Sequence, residues 1–247
     1  MTAPTPPARI TPRVLGTGPL PDGLERPGPG APAHVWLLRI SSHAAALSAD
    51  PSGLDVFDAT ERQRHQAFIR AADRDRYAVA HVGLRRLLGG YLGTEPGDIV
   101  LVREPCPLCG GPHGRPAVSD DGPHFSLSHS GDLVLIAVAG SPVGADVEEI
   151  PTVSVADDVA RSLHPRERAE LAALPPADRT LAFSRCWTRK EAYLKGTGEG
   201  LAGGPEHTYV GTGAEPADVT GWALVDVTVD DGYGAAIATA LPRSSAH

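Results

Sequence analysis

Short apolar runs bounded by turn residues alternate along this chain with longer stretches of helical periodicity. The first run, Val35-Trp36-Leu37-Leu38-Arg39-Ile40, predicts a strand. Asp58-Ala59-Thr60-Glu61 supplies an N-cap and an acidic first turn, and Ala67, Phe68, Ala71 and Ala72 follow at helical spacing. Over residues 74–92 an apolar stripe of Tyr77, Ala80, Leu84, Leu87, Leu88 and Tyr91 predicts a helix ending at Gly93. Residues 99–102 read as a strand, and residues 103–123 as a loop rich in Cys, Pro and Gly. The segment Phe125-Ser126-Leu127-Ser128-His129-Ser130-Gly131 leads into a wholly apolar strand at 133–139, bounded by Gly140-Ser141-Pro142. Residues 143–150 are expected to pair with that strand as a hairpin. Helices are predicted near 155–174 and 177–196, the second ended by Gly198 and Gly200. Strands near 207–211, 222–229 and 234–240 complete the chain.

The order strand, helices, strands thus occurs twice, which predicts an α+β protein of two similar, pseudo-symmetric α/β halves, residues 34–140 and 141–247. A weak internal match agrees. Ala72-Asp73-Arg74 and Ala177-Asp178-Arg179 stand 105 residues apart, and the same offset takes Arg85 to Lys190 and Gly93 to Gly198. Residues 1–33 hold nine prolines and five glycines without apolar periodicity, and are expected to be a disordered or loosely draped extension.

Composition narrows the classes. A chain of 247 residues with 41% hydrophobic content can build a substantial core. A net charge of −8 argues against nucleic-acid binding, which needs a basic face, but leaves room for a local cationic pocket. Three cysteines are too few for a disulfide framework. No apolar run reaches the roughly 20 residues of a membrane span, and no apolar signal core opens the chain. A cytoplasmic location is the expectation.

Of the 22 basic residues only Lys190 and Lys195 are lysines, both inside Trp187-Thr188-Arg189-Lys190-Glu191-Ala192-Tyr193-Leu194-Lys195. Lysine is a compact point charge, whereas arginine is a planar fork. On a helix Trp187, Glu191 and Lys195 share one stripe, while Lys190 points about 100° away. Upstream, Val143-Gly144-Ala145-Asp146-Val147-Glu148 places Asp146 and Glu148 on one face of a strand, with Ala145 and Val147 toward the core. Packed together, strand and helix would bring three carboxylates to one cation, an oxygen set suited to Mg²⁺. On spacing alone a solvated strand end and an ordinary helix ion pair explain the same residues.

Four ordered segments distinguish these readings. Gly114-Arg115-Pro116, the segment around Ser128-His129, the Asp146/Glu148 strand and the Trp187–Lys195 helix together resemble the 4′-phosphopantetheinyl transferases of the surfactin-synthetase-activating (Sfp-like) type, over about residues 35–240. The resemblance implies transfer of the phosphopantetheine arm of coenzyme A to a serine of an apo acyl, aryl or peptidyl carrier protein of fatty-acid, polyketide or non-ribosomal-peptide assembly. Adenosine 3′,5′-bisphosphate would be released, and a monomer with its active site between the halves is implied. Asp146, Glu148 and Glu191 would hold Mg²⁺, or Mn²⁺ in its place. Glu191 would help deprotonate the serine, directly or through a metal-bound water, and Lys195 would meet the pyrophosphate, with a less secure role for Lys190. Coenzyme A would also engage Arg62, Arg76, Arg115, Ser128 and His129, with His129 and Arg62 on the 3′-phosphate. Arg115 stands where the family usually has lysine. Arg64 or His65 could fill a further basic position, but for Arg64 a solvated helix face is the preferred reading. Glu167 matches a recurrent acid that a helix dipole alone would also explain.

Cys106-Pro107-Leu108-Cys109-Gly110-Gly111-Pro112-His113 resembles half a zinc knuckle but offers at most three of about four ligands, so a metal-free loop is expected. The alternatives to an enzyme are a non-catalytic carrier-protein-binding module and a small zinc-binding interaction domain. The full set of Asp146, Glu148, Glu191 and Lys195 argues against the first.

Overall fold

A computed structural model of the chain describes residues 9–119 and 122–242. The N-terminal half begins with strand β3 (His34–Arg39), preceded by two short strands, β1 (Arg9–Ile10) and β2 (Arg13–Val14). Helices α1 (Ile40–Ala49), α2 (Ala59–Ala67) and α3 (Ala71–Leu92) follow, then strands β4 (Leu101–Arg103), β5 (Pro116–Val118), β6 (His124–Ser130) and β7 (Leu133–Ala139). The second half runs β8 (Val143–Glu149), α4 (Val153–Ala160), α5 (Pro165–Ala173), α6 (Pro176–Thr197), β9 (Trp222–Val227) and β10 (Tyr233–Ala240). The mixed α/β class is as expected.

The halves repeat one topology. In the first sheet β3 pairs with β7 and β7 with β6; in the second β8 pairs with β10 and β10 with β9, all antiparallel. Each first strand lies beside its half's last strand. Four layers result, because both sheets have two apolar faces. Leu133, Leu135 and Ala137 pack between the sheets against Ala145, Val147 and Ile237. Val134, Ile136 and Val138 face Leu84, Leu87 and Leu88 of α3 on the outer side, and α6 covers the other sheet through Ala192 against Ala236 and Ala238. Burying each such Leu or Ile contributes about 1.5–3 kcal/mol.

The helix expected near 155–174 is two, α4 and α5, and the loop expected at 103–123 carries β5. Three further expectations change. The strand at 143–149 does not form a hairpin with β7. Both edges of β7 are taken, by β3 and β6, so the chain crosses at Gly140-Ser141-Pro142 and β8 joins the second sheet. No strand forms at 207–211. There the backbone is held by side chains instead, the Val210 N–H donating to Glu167 Oε1 at 2.8 Å and the Thr208 carbonyl accepting from Lys190. The Pro/Gly-rich extension, apart from residues 1–8, which lie outside the described residues, is laid against both sheets. Strand β1 runs parallel to β9 and β2 parallel to β3. Leu15 is buried, and Leu20 and Leu24 pack on the α3 core. A few spaced apolar residues anchor a segment that lacks periodicity.

Candidate active site

Close backbone packing sets the site. At Gly144 a Cβ would stand 1.8 Å from the carbonyl oxygen of Ala192 and 2.4 Å from the Gly196 nitrogen, so β8 lies directly on α6 and only glycine fits. That approach brings Asp146 and Glu148 of β8 beside Glu191 and Lys195 of α6. Lys195 Nζ donates to Asp146 Oδ1 at 2.6 Å and to Ser128 Oγ at 3.0 Å, and Ser128 Oγ donates to the same Asp146 oxygen at 2.9 Å. Asp146 is 1% exposed, and its Oδ2 is buried without a hydrogen-bond partner.

The edge of one sheet is stitched to the edge of the other by alternate serines. Ser126 Oγ accepts from the Ala145 N–H at 2.9 Å, Ser128 bonds Asp146, and Ser130 Oγ donates to Glu148 Oε2 at 2.8 Å. Residues two apart in a strand share a face, so these three point toward β8. Phe125 and Leu127 face α3 instead. His129 shares their parity and lines a cavity on that side with Arg64, Arg76 and His81. The cavity holds about 740 Å³ and adjoins a second of about 510 Å³, lined by Arg115 and Phe125 from the first half and Leu194 and Lys195 from the second. His81, Leu101, Arg103 and Pro116 border both. One cleft therefore runs between the halves and ends at Lys195.

The electrostatics around Lys195 are those of crowded carboxylates, a set that calls for a cation. Burial first, then the Asp146 carboxylate, pushes Glu191 up to about 7, against the pull of Lys195. Burial and Asp146 likewise raise Glu148. Burial holds His129 below the usual histidine value, helped by Arg76, Lys195 and His81. The three carboxylates share a face, but they do not all come within 4.8 Å of one another. Among the described residues only Cys106, Cys109 and His113 do that. Lys195 is instead the direct cation partner of Asp146.

Comparison with known proteins fits this arrangement. The family described as the 4′-phosphopantetheinyl transferase superfamily (ACPS) matches residues 142–217, the stretch from the start of β8 past α6. The 4′-phosphopantetheinyl transferase HetI of Nostoc sp. (strain PCC 7120) is 34% identical over 223 residues, 84% of this chain and 87% of that protein. The chain belongs to the 4′-phosphopantetheinyl transferase superfamily. A putative transferase of Synechocystis sp., slr0495, is 30% identical over 60% of each chain. Sfp of Bacillus subtilis (strain 168) is 26% identical over 58% of this chain and 60% of its own. Among the described residues no helix of this superfamily member is long and apolar enough to cross a membrane.

Several residues expected at the site lie elsewhere. Lys190 is 1% exposed and bonds Glu167 Oε2 at 2.8 Å and the Thr208 carbonyl, on the side of α6 that faces α5. It is not available to a ligand in the cleft, as the 100° turn from Glu191 to Lys190 foreshadows. Glu167, wholly buried, is the acid of that internal pair and of the α5 capping box. Arg62 is exposed and donates to the Asp55 carbonyl at 3.3 Å, away from the cleft, whereas Arg64, one turn-face round, lines it. Ser128 belongs with Asp146 rather than with His129. Arg115 lines the 510 Å³ cavity while donating to Glu104 Oε2 at 2.6 Å and to the Gly196 carbonyl, and so ties the two halves together. Arg76 lines the other cavity, held by Asp73 at 2.9 Å with its Nε buried and unpartnered.

Sequence reasoning missed Ser126, Ser130 and His81. The period-two serines were the signal for the first two, because polar residues alternating with apolar ones in a strand must meet a polar neighbour. Arg189, wholly buried, was also missed. It grips Asp226 through two bonds of 2.7 Å and accepts no ligand.

Proposed function

We propose that this chain moves the 4′-phosphopantetheine arm of coenzyme A onto a serine hydroxyl of an apo acyl, aryl or peptidyl carrier protein, as a transferase of the surfactin-synthetase-activating type. One observation supports this most: Lys195, bonded to Asp146 and on the helix face of Glu191, lines one end of an inter-half cleft whose other walls carry Arg64, Arg76 and His129. The basic walls suit a 3′-phosphorylated nucleoside, and a pyrophosphate would reach Lys195 with a divalent cation offsetting the carboxylates.

The donor set suits Mg²⁺, or Mn²⁺, because it is oxygen only and one buried oxygen, Asp146 Oδ2, has no partner. Asp146, Glu148 and Glu191 would hold the ion, and once bound it would offset the pyrophosphate's negative charge. The protein's own groups supply the rest. The serine oxygen forms a bond to the β-phosphorus as the bond from that phosphorus to the bridging oxygen breaks, and adenosine 3′,5′-bisphosphate leaves with that oxygen. Glu191 takes the serine proton. With no ion bound, burial and Asp146 raise that carboxyl to about 7, and a bound divalent cation would lower it again. Lys195 brings its ammonium to a phosphate oxygen at the cleft end. Arg64, Arg76 and His129 draw the 3′-phosphate, and His129 gains a proton as that dianion arrives. Both sides of the seam come from one chain, which supports a monomer as the working unit.

The test is incubation with coenzyme A, Mg²⁺ and a panel of apo carrier proteins, read by intact mass. One phosphopantetheine is expected per carrier, lost on EDTA treatment and in Asp146→Asn. Carriers left unmodified across the panel, or transfer at full rate in EDTA, would refute the reading.

A further inference from the structure

Between β4 and β5 the chain makes a twelve-residue excursion, residues 104–115, which no part of the transfer chemistry explains apart from Arg115. Its tip gathers three soft or borderline ligand atoms. One atom each from Cys106, Cys109 and His113 lies within 4.8 Å of the others, and Cys109 Sγ stands 3.0 Å from His113 Nε2. A tetrahedral zinc ion with bonds of about 2.0–2.3 Å holds its ligands about 3.5–3.8 Å apart, so small side-chain shifts suffice to seat one.

The backbone is shaped for the same purpose. Gly110 has φ +72°, a conformation that side chains resist. A Cβ at Gly111 would lie 3.0 Å and 3.1 Å from His113 ring atoms and 3.3 Å from Cys109 Sγ, so glycine is what lets both ligands close over this point. The Gly111 N–H donates to Cys109 Sγ at 3.4 Å. The Cys106 N–H closes the turn on the Gly111 carbonyl at 2.7 Å and the Gly110 N–H returns to the Cys106 carbonyl at 2.8 Å. Sulfurs that accept backbone N–H bonds are prepared to act as thiolates. Disulfide closure is not what the turn provides, since all three cysteines are free.

We propose that Cys106, Cys109 and His113 bind one Zn²⁺, with the fourth position on the solvent side, where Cys109 and His113 are exposed. The two thiols release their protons to solvent on binding, and His113 ligates as neutral imidazole. The ion is structural. It pins a loop whose base presents His113, Gly114 and Arg115 to the 510 Å³ cavity, and it is distinct from the carboxylate cluster. The proposal stands whether or not the chain transfers phosphopantetheine.

The test is metal content by mass spectrometry on full-length protein purified from zinc-replete medium without a metal-affinity step. Cobalt substitution and iodoacetamide labelling accompany it. About one zinc per chain is expected, unchanged in Asp146→Asn and at least about tenfold lower in Cys109→Ser and in His113→Ala. Cys109 and His113 are exposed, so both variants should fold, which circular dichroism checks. Cobalt-loaded wild type should show thiolate-to-cobalt charge-transfer bands that Cys109→Ser weakens. Exposed Cys109 should alkylate only after chelation, while buried Cys186 stays unlabelled throughout. Less than about a tenth of a zinc per wild-type chain, or zinc retained in full by Cys109→Ser, overturns the proposal.

Discussion

At an offset of 105 residues helix α3 lies in register with α6, each 22 residues long and each ended by a glycine in the left-handed region, Gly93 and Gly198. One face does the same work in both. Arg85 is wholly buried and bonds Glu61 at 2.6 Å and Asp58 at 3.0 Å, the capping-box pair of α2. Lys190, its counterpart, bonds Glu167 of the capping box of α5. Both cations lock the start of a shorter helix to the long one. The neighbouring face differs completely. Glu191 and Lys195 of α6 meet the carboxylates of β8, while the matching Arg86 and Gly90 of α3 hold the N-terminal stretch. Arg86 donates to the carbonyls of Gly16 and Gly18, and a Cβ at Gly90 would stand 2.7 Å from Leu20. In the proposed reaction, one copy of a repeated scaffold keeps the shared lock and gives its open face to chemistry. The other uses that face to bind its own chain.

The lock is the part most costly to break. Lys190→Met leaves the Glu167 carboxylate buried without its cation, and should cost about 3–5 kcal/mol in denaturant unfolding. Variant that remains folded should keep the coenzyme A KM of the parent. A raised KM with unchanged stability would return Lys190 to the ligand site. On the divergent face, Lys195→Ala should slow transfer about 10²–10³-fold, the usual loss for a positioned charge donor. Gly90→Ala should leave transfer intact while lowering Tm, because it displaces Leu20 and Leu24. Equal effects on rate would erase the distinction between the faces.

Smaller effects sharpen the map of the cleft. Arg64→Ala should raise the coenzyme A KM about tenfold, the worth of one charge-assisted hydrogen bond, and Arg62→Ala should change it less than about twofold. The reverse order would restore Arg62 to the site. Least of all is a pH effect on the first lock. Burial alone would raise Glu61, but the His81 hydrogen bond, the Arg85 charge and the Asp58 N–H together hold it below its ordinary value. A depressed carboxylate stabilises the fold above its unfolded value and loses that contribution as pH falls through the folded one. The Tm gap between wild type and Glu61→Gln should therefore narrow as pH drops from about 6 toward 3. A constant gap would mean that Glu61 is not ionised in the lock.

Much of this was legible in the chain itself. Asp58 and Gly93 marked helix ends where they occur. The alternation around Asp146 put its face opposite Ala145 and Val147, and the i, i+4 spacing joined Glu191 to Lys195. What stayed hidden depends on partners distant in sequence. Nothing local says that β7 already has two neighbours and must send β8 to another sheet. Arg62 and Arg64 are equally basic and two residues apart, and only the packing of α2 on α3 decides which one reaches the cleft. Lys190 had the residue type of a phosphate ligand, but Glu167, 23 positions away, claims it. The extension looked unstructured because its anchors, Ile10, Leu15, Leu20 and Leu24, follow no period.

The central claim is that the α6 face carries the reaction and the α3 face does not. Single-turnover transfer of phosphopantetheine to an apo carrier, timed by intact mass, tests it on Glu191→Gln beside Arg86→Gln. Transfer should fall about 10²–10⁴-fold in Glu191→Gln and stay within about twofold of wild type in Arg86→Gln. Glu191→Gln working at the wild-type rate would contradict the account.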